Sequence, residues 1–271
     1  MRLFAKIPHT APIDPIETSI KYGCQVRFMS LASLDGMYSP EPGPVIFLGS
    51  ERPAGRRAYT CAHELAHHVF KHGMCMDELN AQKNSSIEKS PEEYLADLFA
   101  GHMLMSKPVV CHALKERGLK ASSLLPVQIF GLANYFGVGY GTVVNHLAYS
   151  LQMITHPFAE ALLKVQPKQI KAQFSTAADS EVILVDYHWL HRAVDLEVGD
   201  TVVLPKNTEV EAANRLRVIG ERDHCSIHQA TAAGYARAFS AENDWAVNIR
   251  ISRKYYAGLA QYRFLEEVGE E

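Results

Sequence analysis

The sequence predicts an α+β protein of two domains. At roughly 150 residues per domain, its 271 residues suggest two modest domains or one large one. Hydrophobic residues make up 47% of the chain and charged residues 21%, enough to build a core and remain soluble. Helical patterns dominate up to residue 165 and strand patterns follow. We therefore predict one domain over 1–165 and a smaller α+β domain over 166–271.

The composition favours a cytoplasmic protein without a membrane or nucleic-acid partner. Its 27 basic and 30 acidic residues nearly balance, so no strong electrostatic field points to DNA or anionic lipid. No run reaches the ~20 apolar residues of a membrane span, and the first residues lack the apolar core of a signal peptide. The five cysteines form no CxxC pair, so we expect reduced thiols.

The first sixty residues read as a helix followed by short strands. The helix is expected over 14–22, after Pro12, and alternating apolar residues predict a strand over 25–30. A second strand is expected over 43–48, after a turn rich in Pro and Gly at 39–43.

Two helices are expected next, over 58–71 and 91–105. The first is closed by Gly73, and Ser90 caps the second with Pro91 in its first turn. The polar stretch 80–90 reads as a loop, so the two helices can fold back as neighbours.

The C-terminal half is expected to change from buried helices to strands. Residues 121–159 contain no Asp, Glu, Lys or Arg, which indicates that this stretch is packed inside. Strands are expected over 181–186, 201–204 and 215–231, followed by a β-rich tail from Trp245 with a closing helix.

The strongest chemical signal is the pattern HExxH at residues 63–67. His63 and His67 are four residues apart, so they differ by about 40° around a helix and one metal ion can accept both imidazoles. Glu64 lies about 100° from His63, where a carboxylate can activate a water for attack. A coincidental match on an ordinary amphipathic helix is the alternative.

A pair of acidic residues on the following helix strengthens the hypothesis that His63 and His67 bind a metal ion. Glu93 and Asp97 are also four apart, so Glu93 can complete a His2Glu site while Asp97 accepts a hydrogen bond from the outer nitrogen of a ligand histidine. The alternative is that these residues, with Glu92, form only a capping and solvated charged face.

His72 is a competing third ligand. On a continuous helix it lies about 140° from His67 and 180° from His63, and Phe70 stands where a glycine would be needed to break the helix. We therefore prefer Glu93.

These motifs resemble the ImmA/IrrE-type metallo-endopeptidases over about residues 10–150. The matching segments are RAYTCAHELAH at 57–67, EYLADLFA at 93–100 and MLM at 103–105. The chain departs from the family pattern at Ala66, where glycine is usual, at the additional His68, and at Ser106 and Lys107, which precede Pro108.

The resemblance implies a zincin-like fold for the N-terminal domain and zinc-dependent cleavage of an intracellular partner protein, often a helix-turn-helix repressor in stress response or mobile-element regulation. With the ligands inferred above, His63, His67 and Glu93 would hold Zn2+, although Mn2+ and Fe2+ are not excluded. Glu64 would carry the proton to the leaving amine.

The sequence offers alternatives for the oxyanion donor and for the function. The oxyanion donor is undecided among His68, His102, Tyr94 and a residue of the second domain. The rival function is a non-catalytic metal-bound regulator that binds a repressor or a small ligand.

A helix-turn-helix-like segment is expected at about 121–155, with Ala133 at the packing position and Gly137 at the turn. Its second helix, about 141–151, carries no Lys or Arg, so we expect no direct DNA binding. The segment is interpreted as structural or partner-binding.

Two further sequence patterns each allow a functional and a structural interpretation. The strand at 44–48 is either an edge strand that pairs with substrate or a plain buried strand. In the second domain, His224 and His228 share a strand face, so a second metal site is conceivable, but we favour scattered surface histidines.

Overall fold

The computed structural model of the chain describes residues 6–31, 33–73, 75–78, 90–174, 180–212 and 214–265. The chain divides into two compact units. The first comprises residues 1–112, 136–139 and 255–261, and the second comprises 113–135, 140–254 and 262–271. This division differs from the domain boundary near residue 165, which stays a prediction.

Helices and strands together make a mixed α+β fold with a β-rich C-terminal region, as the sequence predicted. The helices of the described residues are α1 (Pro15–Lys21), α2 (Ala54–Phe70), α3 (Pro91–Leu104), α4 (Lys107–Glu116), α5 (Pro126–Phe136), α6 (Tyr140–Asn145), α7 (His156–Leu163) and α8 (Pro167–Lys171). The strands are β1 (Gln25–Met29), β2 (Leu34–Ser39), β3 (Val45–Gly49), β4 (Cys75–Glu78), β5 (Val182–Leu184), β6 (Val194–Glu197), β7 (Thr201–Pro205), β8 (Glu209–Glu211), β9 (Leu216–Arg222), β10 (Cys225–Ala230), β11 (Gly234–Ser240), β12 (Trp245–Ser252) and β13 (Gly258–Leu259). Within the described ranges, no helix combines the length and apolarity that a bilayer span requires.

The first unit contains a five-stranded sheet of order β13-β1-β3-β2-β4. β3 runs parallel to β1 and antiparallel to β2, so it has a neighbour on each side. Ile46 and Leu48 are fully buried. The strand at 44–48 is therefore a plain buried strand, and the idea that it is an edge strand pairing with substrate is wrong.

Helix α2 packs against β2, β3, α1 and α3. It begins four residues before the predicted start at 58, directly after Pro53. Gly55 lets this first turn pack closely, because an added Cβ there would lie 2.7 Å from the backbone carbon of Val138. The expected loop at 80–90 falls almost wholly outside the described residues.

The second unit contains two four-stranded sheets, of orders β5-β7-β10-β9 and β6-β12-β11-β8. The predicted strands at 181–186 and 201–204 are confirmed as β5 and β7. The run 215–231 is an antiparallel hairpin of β9 and β10. The tail from Trp245 is confirmed as β12, and up to residue 265, where the described part of the tail ends, its one helical element is a 3₁₀ turn, Ala260–Tyr262.

The uncharged stretch 121–159 is only partly buried, so the expectation that it is packed inside holds in part: 17 of its 39 residues are buried and 12 are exposed. It contains α5, α6 and a π-helical turn, His146–Ser150, and Gly137 adopts a positive φ of 68° between the two helices. Leu125 and Tyr149 are the most exposed of its large hydrophobic residues, each 57% exposed. The helix-turn-helix interpretation of this segment stays a prediction.

Candidate metal centre

Helix α2 places three polar side chains in the interior of the first unit. His63 is 3% exposed, Glu64 1% and His67 fully buried. The helix approaches β2 closely because Gly36 has no side chain: a Cβ there would meet the Thr60 side chain at 2.4 Å and lie 3.5 Å from Oε1 of Glu64. The sequence motif therefore occupies the buried face of α2.

Helix α3 brings the acidic residues to the same place. The side chain of Ser90 accepts a hydrogen bond from the backbone N–H of Glu93 at 3.2 Å, which fixes the first turn as predicted. Glu93 and Asp97 are only about one-third exposed in their side chains, at 31% and 29%. Since α2 and α3 pack together, both carboxyl groups face the histidines.

The three side chains form a small triangle with four potential ligand atoms: one nitrogen from each histidine and both carboxylate oxygens of Glu93. Nε2 of His63 lies 3.0 Å from Oε2 of Glu93 and 3.1 Å from Nε2 of His67, and Nε2 of His67 lies 3.4 Å from Oε1 of Glu93. Tetrahedral ligands bound at 2.0–2.1 Å lie about 3.3 Å apart. The triangle thus has the size that a tetrahedral zinc ion requires.

The donor set itself also fits a cation. If both imidazoles direct a lone pair at the triangle, two nitrogens and a carboxylate face one another with no donor, so a proton or a cation must lie among them. Among the described residues, these are the only three His, Cys, Asp or Glu side chains that converge in this way. The second metal site considered near His224 and His228 is not formed there. His228 is buried rather than on the surface, with Nε2 2.9 Å from the Ser226 hydroxyl.

The electrostatics favour the metal-binding protonation states. Burial, and next the neighbouring His63, hold the pKa of His67 well below its ordinary value. A hydrogen bond with His63 lowers the pKa of Glu93. A neutral imidazole and an ionised carboxylate are the forms that bind a metal ion.

Asp97 lies where the sequence placed it, against the outer nitrogen of a histidine. Its Oδ1 is 3.1 Å from Nδ1 of His63. Tyr59, one helical turn before His63, donates its hydroxyl to the Asp97 backbone carbonyl at 3.3 Å and to its Oδ1 at 3.4 Å. Sequence reasoning missed Tyr59, although its i−4 spacing from His63 was a usable signal.

His72 does not join the triangle but contacts its outer side. Its Nδ1 lies 3.1 Å from Nδ1 of His67, the nitrogen that points away from Glu93. The helix does not continue to His72, so the premise on which His72 is set aside as a ligand is wrong. Helix α2 ends at Phe70, and Lys71 takes the left-handed conformation, with φ 60°, without being glycine.

The candidate oxyanion donors are in different environments. Nδ1 of His68 lies 3.0 Å from the hydroxyl of the buried Tyr38. Tyr94 is 60% exposed and His102 is also exposed. The choice among them stays a prediction.

The part of the chain that contains the site is similar to known proteins. The model of the IrrE N-terminal-like domain, peptidase M78, matches residues 21–148. The radiation response metalloprotease IrrE of Deinococcus radiodurans is 29% identical over 98 residues, which are 35% of this chain and 29% of that protein. The match therefore spans less than a third of that relative.

A solved structure also resembles the chain in part. A Mycobacterium tuberculosis transcriptional regulator has a TM-score of 0.38 and 21% sequence identity, over 54% of this chain and 44% of that one. Together, the domain match and the curated relative confirm the resemblance that the sequence motifs predicted.

Proposed function

Because residues 21–148 carry an IrrE N-terminal-like domain, we propose that this chain is a zinc-dependent endopeptidase that cleaves a specific intracellular protein. The observation that carries the proposal is the triangle of His63, His67 and Glu93, whose ligand atoms lie within 4.8 Å of one another. The metallopeptidase character of the family and the geometry of the triangle support the same chemistry.

The three ligands would leave one position of a tetrahedral zinc ion open. A divalent cation held there would polarise the scissile carbonyl and lower the pKa of the attacking water. Imidazole-rich ligation suits zinc, and Mn2+ and Fe2+ remain competitors to be tested.

Glu64 is the general base and acid of this proposal. It follows His63 directly on α2, so its carboxylate can take a proton from the attacking water and later deliver it to the leaving amine. Its burial, at 1% exposed, keeps the proton transfer in an environment of low dielectric constant. Asp97 orients His63 by accepting a hydrogen bond from its Nδ1–H.

The finer features follow from the resemblance. We propose a zincin-like fold for the N-terminal domain and a helix-turn-helix-like role for the segment around α5 and α6. We propose that the substrate is a helix-turn-helix transcriptional repressor that regulates a stress response or a mobile element. Cleavage would take place in the cytoplasm. We propose that the oxyanion donor is His68, His102 or Tyr94.

The first test is metal content. Elemental analysis of the purified full chain should give one zinc per chain, and Glu93→Ala should lose it because one ligand of three is removed. Glu92→Ala is the matched control, since Glu92 is the exposed neighbour on the same helix. Stoichiometric zinc in Glu93→Ala would refute the ligand assignment.

The second test separates the protease from a non-catalytic regulator. Glu64→Gln should keep zinc bound and abolish cleavage of co-expressed repressor candidates, because only the proton carrier is removed. If the cellular response that requires this chain is as strong with Glu64→Gln as with the wild type, the chain is a regulator rather than a protease.

A further inference from the structure

At the end of helix α2 the chain turns back and places His72 beside His67, a candidate metal ligand. Lys71 has φ 60° and ψ 41°, and its N–H donates to the carbonyl of His68. The N–H of His72 then donates to the carbonyl of His67 at 3.0 Å. This left-handed cap brings the His72 ring to 5.2 Å from the His67 ring, at an interplanar angle of 67°.

An aromatic stack holds the His72 ring in this position. The ring of Phe70 stacks on it, with centroids 5.5 Å apart and planes 26° from parallel. Phe70 in turn meets Phe99 of α3 edge to face at 5.5 Å. His72 is therefore supported both by its own backbone and by the helix that carries Glu93.

The contact between the two rings restricts where protons can be. Nε2 of His67 faces Nε2 of His63 and Oε1 of Glu93, so it must be unprotonated to bind a cation. The proton of a neutral His67 then sits on Nδ1, 3.1 Å from Nδ1 of His72. His72 accepts that proton in a hydrogen bond only in the tautomer that carries its own proton on Nε2.

We propose that His72 is a positioning residue that fixes the Nδ1–H tautomer and the ring orientation of His67, and so strengthens metal binding. The inference rests on the metal site of the proposed function. In this role of His72, each ligand histidine has an outer partner: the Asp97 carboxylate for His63 and the neutral His72 imidazole for His67. Such outer partners raise metal affinity without touching the ion.

The experiment compares His72→Leu with His72→Asn in the full chain. Leucine removes the acceptor, whereas Oδ1 of asparagine occupies nearly the place of the histidine Nδ1 and still accepts. In competition with a zinc chelator, His72→Leu should bind zinc about 10–100-fold more weakly than the wild type. His72→Asn should stay close to the wild-type affinity.

A second readout uses the metal-free protein. Long-range 1H–15N spectra of the histidine side chains, assigned with a His67→Gln variant, should show His67 as the Nδ1–H tautomer in the wild type and in His72→Asn. In His72→Leu the two tautomers should be mixed. A merely structural role of His72 would change stability but not this tautomer ratio.

The outcomes separate this inference from the proposed function. Wild-type zinc affinity and an unchanged His67 tautomer in His72→Leu would overturn the inference while leaving the protease intact. Zinc binding that depends on His72, without cleavage of any protein, would support the inference and refute the protease. A wild type that binds none of zinc, Mn2+ and Fe2+ would overturn both. Should His72→Leu fail to fold, weakened binding in His72→Asn would overturn the inference by itself.

Discussion

Gly55→Ala should destabilise the first unit although it introduces a better helix former. Gly55 lies in the first turn of α2, the helix that carries both ligand histidines. An added Cβ would stand 2.7 Å from the backbone carbon of Val138, 2.9 Å from its oxygen and 3.0 Å from the nitrogen of Gly139. All three are backbone atoms, so no side-chain rotation relieves the overlap.

The magnitude follows from the distances. Carbon atoms prefer separations of 3.5–4.0 Å, so the backbone at Val138 must retreat by about 0.8 Å from its present 2.7 Å. Overpacking of this kind costs about 1–3 kcal/mol. The gain in helix propensity, at most about 1 kcal/mol in a helix interior, is smaller in the first turn.

Gly131→Ala is the matched control. Gly131 lies inside α5, and no atom lies within 4 Å of its added Cβ. This variant should gain about 1 kcal/mol of unfolding free energy from helix propensity. The two glycine-to-alanine changes should therefore differ by roughly 1–4 kcal/mol and have opposite signs.

Urea unfolding followed by far-ultraviolet circular dichroism measures both variants. Zinc affinity gives a second readout for Gly55→Ala, which should bind zinc more weakly because a displaced α2 moves His63 and His67 relative to α3. A Gly55→Ala protein as stable as the wild type would refute the packing argument.

Three further predictions concern single side chains. Asp97→Ala should weaken zinc binding about 10–100-fold in a chelator competition, because His63 loses its outer acceptor; equal affinity would exclude that role. Lys71→Gly should raise the free energy of unfolding by about 1 kcal/mol in urea, because glycine adopts positive φ without strain; no gain would show that the left-handed cap costs nothing. Burial raises the pKa of the Asp200 carboxyl to about 6, so its contribution to stability is present below pH 4 and lost as pH rises through 6. Relative to Asp200→Asn, the wild type should lose up to about 3 kcal/mol between pH 4 and 7, whereas a pH-independent difference would contradict this.

The arrangement of the candidate site was largely predictable because it depends on local periodicity. The spacing of four fixes which side chains share a helix face, and it applies to both His63/His67 and Glu93/Asp97. Spacing alone does not make the two faces meet, because residues 71–90, which include β4, connect α2 to α3. That part of the arrangement depends on the tertiary packing of α2 against α3.

The surroundings of the site were less predictable because they depend on tertiary contacts. Strand β2 has the sequence LDGMYS, in which Asp, Gly and Ser disfavour a strand. Its Asp35 is nevertheless buried at 7% exposed, where Arg52 lies 3.0 Å away and the Nε of Arg56 donates to it at 2.7 Å. Both arginines come from the entry to α2, so the strand is stabilised by residues that no local pattern connects to it.

The outer partner of His67 was missed for a related reason, and its chemistry has a consequence for the whole site. The helix end near residue 71 was predicted, but a non-glycine residue in the left-handed region is rare, so the left-handed turn at Lys71 cannot be predicted from residue types. Glu64, Glu93 and Asp97 together carry three formal negative charges when ionised, against two positive charges on a divalent cation. A carboxylate beside the fully buried His67 would add a fourth negative charge at high desolvation cost. A neutral imidazole supplies the same hydrogen-bond acceptor without that charge, which is the physical reason to expect His72→Asn, and not His72→Asp, to preserve metal affinity.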